Sequence, residues 1–507
     1  MARLHEYQAK AILRQAGIAV PRGIVASTPA EAYAFAVGAG QPVVVKAQVW
    51  TTSRAAQNLI RFVMTPEEAQ RATADLLGQR YGNFAIEHVL VEEQIPIVQE
   101  WYLGLIIDST LRSPVLLLSK SGGSGIEERA TDGQGMANLR VNVLSGVDPA
   151  FAHGLCLAAS IPEDWITALS DVIVRFYAAA RGTDARSAEI NPLVLDAEGR
   201  IMALDARLTV DDYAVFRHPE LGIDIAREFD HPPTKLERIA WEVEKNDYRG
   251  TFYFVQMREG FEKNSGVIGF HGAGGGGSMI NMDALLAQGF QIANFVDTSG
   301  NPPASKVYRA ARIILSQPGI DGYFAGGSGV ASQEQFHTAR GLVKAFVDTA
   351  LNVPAVIRIG GNSEEQAIEI LQRANGKFPA PVEAYGRDAS PDSCTARLRS
   401  LIDDYVPVPE VTLPQHPTAQ EPYTFETVTG GTITFDHAIC RTCESKICIQ
   451  HCVPQILSLA DDVPVLNISP AAAKQGGCTE CLACEVDCWF LGKGGGLIRL
   501  PIAGLDD

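Results

Sequence analysis

The sequence predicts an α/β multidomain protein, and three observations carry that prediction. Its 507 residues exceed what one core organises, since domains hold ~100 to 200 residues, so about three domains are expected. Short apolar runs alternate with helical stretches over residues 1 to about 228 and again beyond a break at Phe229-Asp-His-Pro-Pro-Thr-Lys. Eight of the ten cysteines crowd between Cys440 and Cys488. The resulting division is 1–232, 233–405, a Pro-rich linker at 406–430, and a cysteine domain at 431–507.

Composition narrows the function classes. Forty-two Lys and Arg against 59 Asp and Glu give a net charge of -17, which disfavours a nucleic-acid partner. With 46% hydrophobic and 20% charged residues the chain reads as globular rather than disordered. No apolar stretch approaches the ~18 to 20 residues of a membrane span. The start, Met1-Ala-Arg-Leu-His-Glu-Tyr-Gln, lacks the apolar core of a signal peptide, so a cytoplasmic protein is expected. In that compartment clustered cysteines point to a cofactor site rather than a disulfide framework.

In the first domain, Pro42-Val-Val-Val-Lys46, Val89-Leu-Val-Glu92 and Val115-Leu-Leu-Leu118 read as strands and Pro66 to Leu77 as a helix. A lone lysine in a buried strand is costly without a partner, which favours a functional Lys46 over a structural one. Further on, Ser187 to Leu195 and Ile201 to Leu208 read as a hairpin whose alternation puts Glu189 and Asn191 on one face, within reach of Asp205. Hard oxygen ligands converging this way suit a Mg-phosphate site, although an acidic, exposed hairpin would show the same pattern.

In the second domain, Val267-Ile-Gly-Phe and Ala355-Val-Ile-Arg alternate with helices at Ser305 to Leu315 and Ser332 to Leu351, as in a doubly wound parallel sheet. Gly272-Ala-Gly274-Gly-Gly-Gly277, with Asp297 twenty residues on, formally fits a dinucleotide fingerprint, but a run of five glycines fits it trivially. His271 beside it could accept a phosphoryl group; its place at the end of a core strand favours a structural role.

The cysteines read Cys440-x2-Cys443-x4-Cys448-x3-Cys452 and Cys478-x2-Cys481-x2-Cys484-x3-Cys488. The second run has bacterial [4Fe-4S] spacing, and paired zinc sites are the alternative. The runs resemble a two-cluster ferredoxin, which implies a small ferredoxin-like α+β iron-sulfur domain with Cys440, Cys443, Cys448 and Cys488 on one cluster and Cys452, Cys478, Cys481 and Cys484 on the other. Departures from that pattern are the x4 insertion, Val453 before Pro454, and the lack of proline after Cys488.

Over roughly residues 1 to 400 the chain resembles the succinyl-CoA synthetase beta subunit and related ADP-forming acid-CoA ligases. The resemblance rests on Leu4-His-Glu-Tyr-Gln-Ala-Lys, Val43-Val-Val-Lys46-Ala-Gln-Val, Leu90-Val-Glu92 with Glu100-Trp-Tyr-Leu-Gly, Ala188-Glu-Ile-Asn-Pro-Leu and Ala203-Leu-Asp-Ala. It implies an ATP-grasp domain followed by a flavodoxin-like, doubly wound ligase domain. Lys46 and Arg54 would contact ATP phosphates, Glu92 and Glu100 the adenosine, and Asn191 with Asp205 the Mg2+, while Glu189 would face the phosphoryl-transfer site. Asp297, Thr298, Ser299 and Gly300 would open a phosphate-holding helix. Gly326, Gly327 and Ser328, with Arg358-Ile-Gly-Gly-Asn362, would lie near the carboxylic acid substrate. The family's glycine-rich phosphate loop is replaced by Trp50-Thr-Thr-Ser-Arg54-Ala-Ala-Gln, and its substrate-side asparagine falls on Ala273, which implies an acid other than succinate. An alpha-type partner subunit would bring CoA and the phosphohistidine. The expectation is thus a beta-type ligase subunit fused to an iron-sulfur electron-transfer domain. The rival is an electron-transfer or scaffold subunit with a redox partner, built on an altered ligase body.

Overall fold

The computed structural model describes residues 2–51, 54, 57–123, 135–223, 225–227, 231–247, 252–409, 413 and 418–506. Thr52, Ser53, Ala55 and Ala56 of the altered phosphate loop, Phe229 and Asp230 of the predicted break, and parts of 406–430 lie outside the described residues. The chain divides into two compact units, 1–232 and 233–507.

Unit 1 is built on two antiparallel sheets. The smaller has the order Gly23–Ala26, Val89–Glu93, Val43–Ala47, Ile60–Val63. Helices Pro29–Ala39 and Pro66–Leu76 belong to the same core, formed by Ala26, Val43, Val45, Leu76, Val89 and Val91. Helix Pro66–Leu76 starts where it does because Thr65 accepts from the Glu68 amide, proline occupies the first turn and two glutamates face the helix dipole. It buries Ala69, Ala72, Thr73 and Leu76, one helical stripe.

The larger sheet has seven strands, centred on the long Ile97–Asp108 and Ala185–Asp196. The predicted hairpin is more elaborate than its pattern suggests. Ala185–Asp196 pairs with Ile201–Ala203 near one end and with Ala206–Val210 near the other. Leu204 and Asp205 fall in the interruption between those two strands, which places the Asp205 carboxylate at a break in the ladder. Along Ala185–Asp196, Ala188 and Ile190 enter the core while Glu189 and Asn191 stay half-buried on the opposite face.

Unit 2 contains the doubly wound sheet, ordered Tyr253–Gln256, Asn294–Asp297, Val267–Ala273, Gly322–Gly327, Ala355–Arg358, Val382–Tyr385. All these pairs are parallel except the first. Residues 420–506 add a three-stranded antiparallel sheet of Pro422–Glu426, Thr432–Asp436 and Gly496–Arg499, a hairpin of Leu457–Ala460 with Val463–Leu466, and helix Ala483–Leu491. One hydrophobic core runs from Phe254, Tyr323 and Phe346 through Phe425, Ile433, Phe435 and Ile498, so this α+β lobe is fused to the sheet domain.

Charge as well as apolar surface joins lobe and sheet domain. From helix Phe336–Asp348, Arg340 grips Asp487 at 2.7 Å and Lys344 meets Glu485 at 2.8 Å, all four side chains being at most 5% exposed. Arg309 donates to the Thr429 carbonyl at 3.3 Å. Among the described residues no helix is long and apolar enough to cross a membrane.

Lys344 serves both Glu485 and Asp348, and burial pushes Glu485 up to about 7 even beside that ammonium. Its folded value thus lies above its ordinary 4.5, so the stability it contributes is fully present below about 4.5 and is lost as pH rises to about 7. Glu485→Gln should flatten that slope. The check is the urea midpoint of unit 2 from pH 4.5 to 8 in both proteins, and identical pH profiles would refute it.

Candidate active site

The main feature of unit 1 is a buried cluster of six charges. Helix Glu6–Gln15 carries Glu6 and Lys10 one turn apart on its inward face, and strand Val43–Ala47 contributes Lys46. Glu6 Oε1 accepts from Lys10 Nζ and Lys46 Nζ, both at 2.8 Å, while its Oε2 accepts from Arg54 at 2.6 Å. Glu92 closes the ring, 2.6 Å from Lys10 and 3.0 Å from Lys46. Arg54 extends it to Asp205 Oδ2 at 2.7 Å. Three cations thus face three carboxylates, which is how a region this buried tolerates any charge. Burial opposes the charge on Glu6, but Lys10, Lys46 and Arg54 override it and hold its carboxyl well below the usual range.

The structure therefore brings Lys46, Arg54, Glu92 and Asp205 together and joins them through Glu6 and Lys10, two residues absent from the set marked by sequence. Their signal was available: Glu6 and Lys10 both lie within Leu4-His-Glu-Tyr-Gln-Ala-Lys, spaced one helical turn apart. Lys46 also donates to the Leu204 carbonyl at 2.6 Å, beside Asp205. Glu100 stands apart from this ring, close to Gly123, where an added Cβ would meet its Oε2 at 2.8 Å.

Asn191 and Asp205 are neighbours through the backbone, the Asn191 amide donating to the Asp205 carbonyl at 3.1 Å. The Asn191 side-chain Oδ1 accepts from the Gly123 amide at 2.7 Å. Asp205 Oδ1 is buried and has no hydrogen-bond partner among the described residues. An orphaned carboxylate oxygen beside an amide oxygen suits Mg2+, which takes one or two protein oxygens and completes its shell with water and phosphate. Glu189 lines a cavity of about 330 Å³, which Glu6, Arg54, Trp50, Tyr102 and Arg207 also line. Tyr102 donates to it at 3.4 Å and Arg207 approaches at 3.5 Å. Glu6 and Arg54 touch both this cavity and the Lys46–Asp205 side, so they form the wall between the two.

The cysteine expectation is corrected. Among the described residues no group of three or more His, Cys, Asp or Glu side chains is placed to hold a metal ion. All ten cysteines are free and buried. The [4Fe-4S] sets on Cys440, Cys443, Cys448 and Cys488 and on Cys452, Cys478, Cys481 and Cys484 are therefore withdrawn, as is the zinc alternative. With them go the iron-sulfur character of the ferredoxin-like domain, the electron-transfer role and the redox-scaffold rival. The sulfurs line two small spaces, Cys440, Cys443, Cys448 and Cys488 around one and Cys448, Cys452, Cys478, Cys481 and Cys484 around the other.

In unit 2 the glycine run proves to be a packing device. Gly274 has φ +83° and precedes helix Gly275–Ala287. Gly277 lets that helix lie directly on the loop Gly326-Gly-Ser328, since a Cβ there would stand 2.2 Å from the Ser328 amide nitrogen. Asp297 Oδ1 accepts from the Gly274 and Ser299 amides, both at 2.8 Å, so it ties its own loop to the glycine run. The next helix opens at Ala304, later than the predicted Asp297 to Gly300, because Pro302 and Pro303 hold the chain extended before the first turn. Thr298, Gly300, Gly326, Gly327, Ser328 and Arg358 line one cavity of about 40 Å³, with Ala273 and His271 beside them. His271 bonds the Tyr323 hydroxyl at 2.5 Å, and burial pulls it down to about 3. Gly277→Ala should force the helix off the loop and cost roughly 1 to 3 kcal/mol. A melting temperature within a degree of wild type would contradict this close packing.

Comparison with known proteins agrees with both units. Residues 3–195 match the family model described as ATP-grasp domain, and residues 262–396 match the one described as ATP citrate lyase citrate-binding. The beta subunit of the GDP-forming succinate–CoA ligase of Thermus thermophilus is 36% identical over 386 residues, 75% of this chain and 96% of that one. Its ADP-forming counterpart from Methanothermobacter thermautotrophicus is 34% identical over 382 residues, with the same coverage. The solved ATP citrate lyase of Methanothrix soehngenii superposes with a TM-score of 0.63 at 19% identity, covering 80% of this chain and all of that one, which shows a shared fold. About a quarter of the chain stays outside the alignments to the succinate–CoA ligases. With more than a third of positions identical along nearly the whole of one such subunit, the chain belongs to the succinate–CoA ligase beta-subunit family.

Proposed function

We propose that this chain is the nucleotide-binding, beta-type subunit of an ADP-forming acid–CoA ligase and works with an alpha-type subunit that brings CoA and a phosphorylatable histidine. The observation that carries the reading is the convergence of Lys46, Arg54 and Asp205, with Asn191 alongside, beside a cavity walled by Glu189. The γ-phosphoryl group leaves ATP for an imidazole nitrogen of the partner, releasing ADP. It then passes to the acid as an acyl phosphate, and the CoA thiol displaces inorganic phosphate to give acyl-CoA. Such transfers need positioning and charge neutralisation more than covalent help from the protein.

Lys46 and Arg54 neutralise phosphate oxygens, and Glu189, steadied by Tyr102 and Arg207, faces the incoming acceptor across the cavity. Asn191 and Asp205 would hold Mg2+, which when bound offsets phosphate charge and fixes its orientation. Glu100, apart from the ring, would serve the adenosine, while Glu92 is held within the ring by Lys10 and Lys46. In the second domain Asp297 to Gly300 and Gly326 to Ser328 flank the cavity for phosphate and acid. The acid is a small polycarboxylate: relatives are named for succinate, the model matching 262–396 is named for citrate binding, and Ala273 fits an acid other than succinate.

Asp205→Ala should weaken Mg-ADP binding to the purified chain by at least ~10-fold and lower nucleotide-dependent turnover of the complex in parallel. Calorimetry and a coupled acyl-CoA assay check this with succinate and citrate side by side. Unchanged binding would remove the metal assignment, and acyl-CoA formed by the isolated chain would remove the partner.

A further inference from the structure

Of the three side-chain oxygens of Asp205 and Asn191 that would serve a cation in unit 1, the protein itself engages two. Asp205 Oδ2 is held by Arg54 at 2.7 Å and Asn191 Oδ1 by the Gly123 amide at 2.7 Å, which leaves Asp205 Oδ1 as the oxygen without a partner among the described residues. The Arg54 contact is the firmer of the two. Its guanidinium is 5% exposed, its one Nη2 nitrogen bridges Asp205 and Glu6, and its Nη1 donates to the Ala47 carbonyl at 3.2 Å. Glu6 and the Ala47 carbonyl therefore hold one cation on the carboxylate that a divalent ion needs. The cluster is also neutral as it stands, three cations against three carboxylates, so an added divalent cation meets little attraction at Asp205 until the guanidinium turns away from it.

We infer that Arg54 is a positioning residue that latches and neutralises Asp205 in the empty site, so that a divalent cation is held firmly at the open Oδ1 only when Arg54 is drawn away to nucleotide phosphate. This deepens the reading proposed above and rests on it. Glu6 gives the exchange its direction: it keeps hold of Arg54 through Oε2, so the guanidinium turns about a fixed counter-ion rather than entering solvent. Nucleotide is then required before the metal can bind well, and metal without nucleotide is rejected. Arg54 is suited to the role because its planar fork serves two carboxylates or a phosphate with the same donors.

The test uses Mn2+ without nucleotide, counted as loss of the free-ion paramagnetic signal. Wild type should bind Mn2+ weakly, and Arg54→Gln should bind it roughly tenfold or more tightly, within the usual range for coupled sites. A merely structural arginine would yield the opposite change or none. Adding Asp205→Asn to Arg54→Gln should abolish the gain, whereas adding Glu92→Gln, which restores the same charge elsewhere in the cluster, should keep it, and the pair separates the Asp205 carboxylate from a general excess of negative charge. If Arg54→Gln does not melt cooperatively, Arg54→Lys, which keeps a cation beside Glu6 on a shorter reach, takes its place in the same titration. Unchanged Mn2+ affinity in a folded variant overturns the latch, and so does a gain that survives Asp205→Asn. A wild-type chain that binds no Mn-ADP, with the Arg54→Gln gain intact, overturns the nucleotide reading and with it release by phosphate, and leaves only the hold of Arg54 on Asp205.

Discussion

The carboxylate of Glu6 is the constraint on which unit 1 depends. It is 2% exposed and lies where no single ion could survive, yet it joins a helix, a sheet strand and the phosphate-side arginine by three charge-assisted contacts. Removing one partner from such a cluster leaves an uncompensated buried charge, which costs about 3 to 5 kcal/mol. The same contacts fix the positions of Lys46 and Arg54, which on the proposed reading meet the nucleotide phosphates. Stability and preorganisation therefore share one set of atoms, and neither can be altered alone.

What the sequence made legible follows from what each signal encodes. Alternation along Ala185–Asp196 put Glu189 and Asn191 on one face, because side-chain direction in a strand is a local property. The doubly wound sheet was legible for the same reason, through apolar runs punctuated by helices. The pairing of Arg54 with Asp205 was not, since 151 residues separate them and no periodicity links their positions. The helix Ala304–Leu315 was legible to within one residue, as Ser305 to Leu315, whereas the expectation that Asp297 to Gly300 open it fails because Pro302 and Pro303 hold the chain extended just before the first turn.

The cysteines teach a different lesson. Their spacing is a statement about loop length, and several chemistries share it: iron-sulfur ligation, zinc ligation and close packing of small, weakly polar thiols. Deciding among them needs the mutual placement of the sulfurs, which depends on packing by residues such as Phe425, Ile433 and Phe435 from other strands. The glycine run shows the same limit. Its fit to a nucleotide fingerprint reflected composition, and the contact of Gly277 with Ser328 is what its absent side chain permits.

The joining of the final lobe to the sheet domain has a consequence for the order in which this protein can be made. Helix Phe336–Asp348 presents Arg340 and Lys344 into the interior, and their counter-ions Asp487 and Glu485 belong to helix Ala483–Leu491, well over a hundred residues downstream. During synthesis the N-terminal unit has all of its own partners long before then. The second unit emerges with two guest cations facing an open side and a core that lacks Phe435 and Ile498. Until the last helix clears the ribosome, that half of the chain is a sheet with an unmet demand for acid, and chaperones have their longest opportunity to act there.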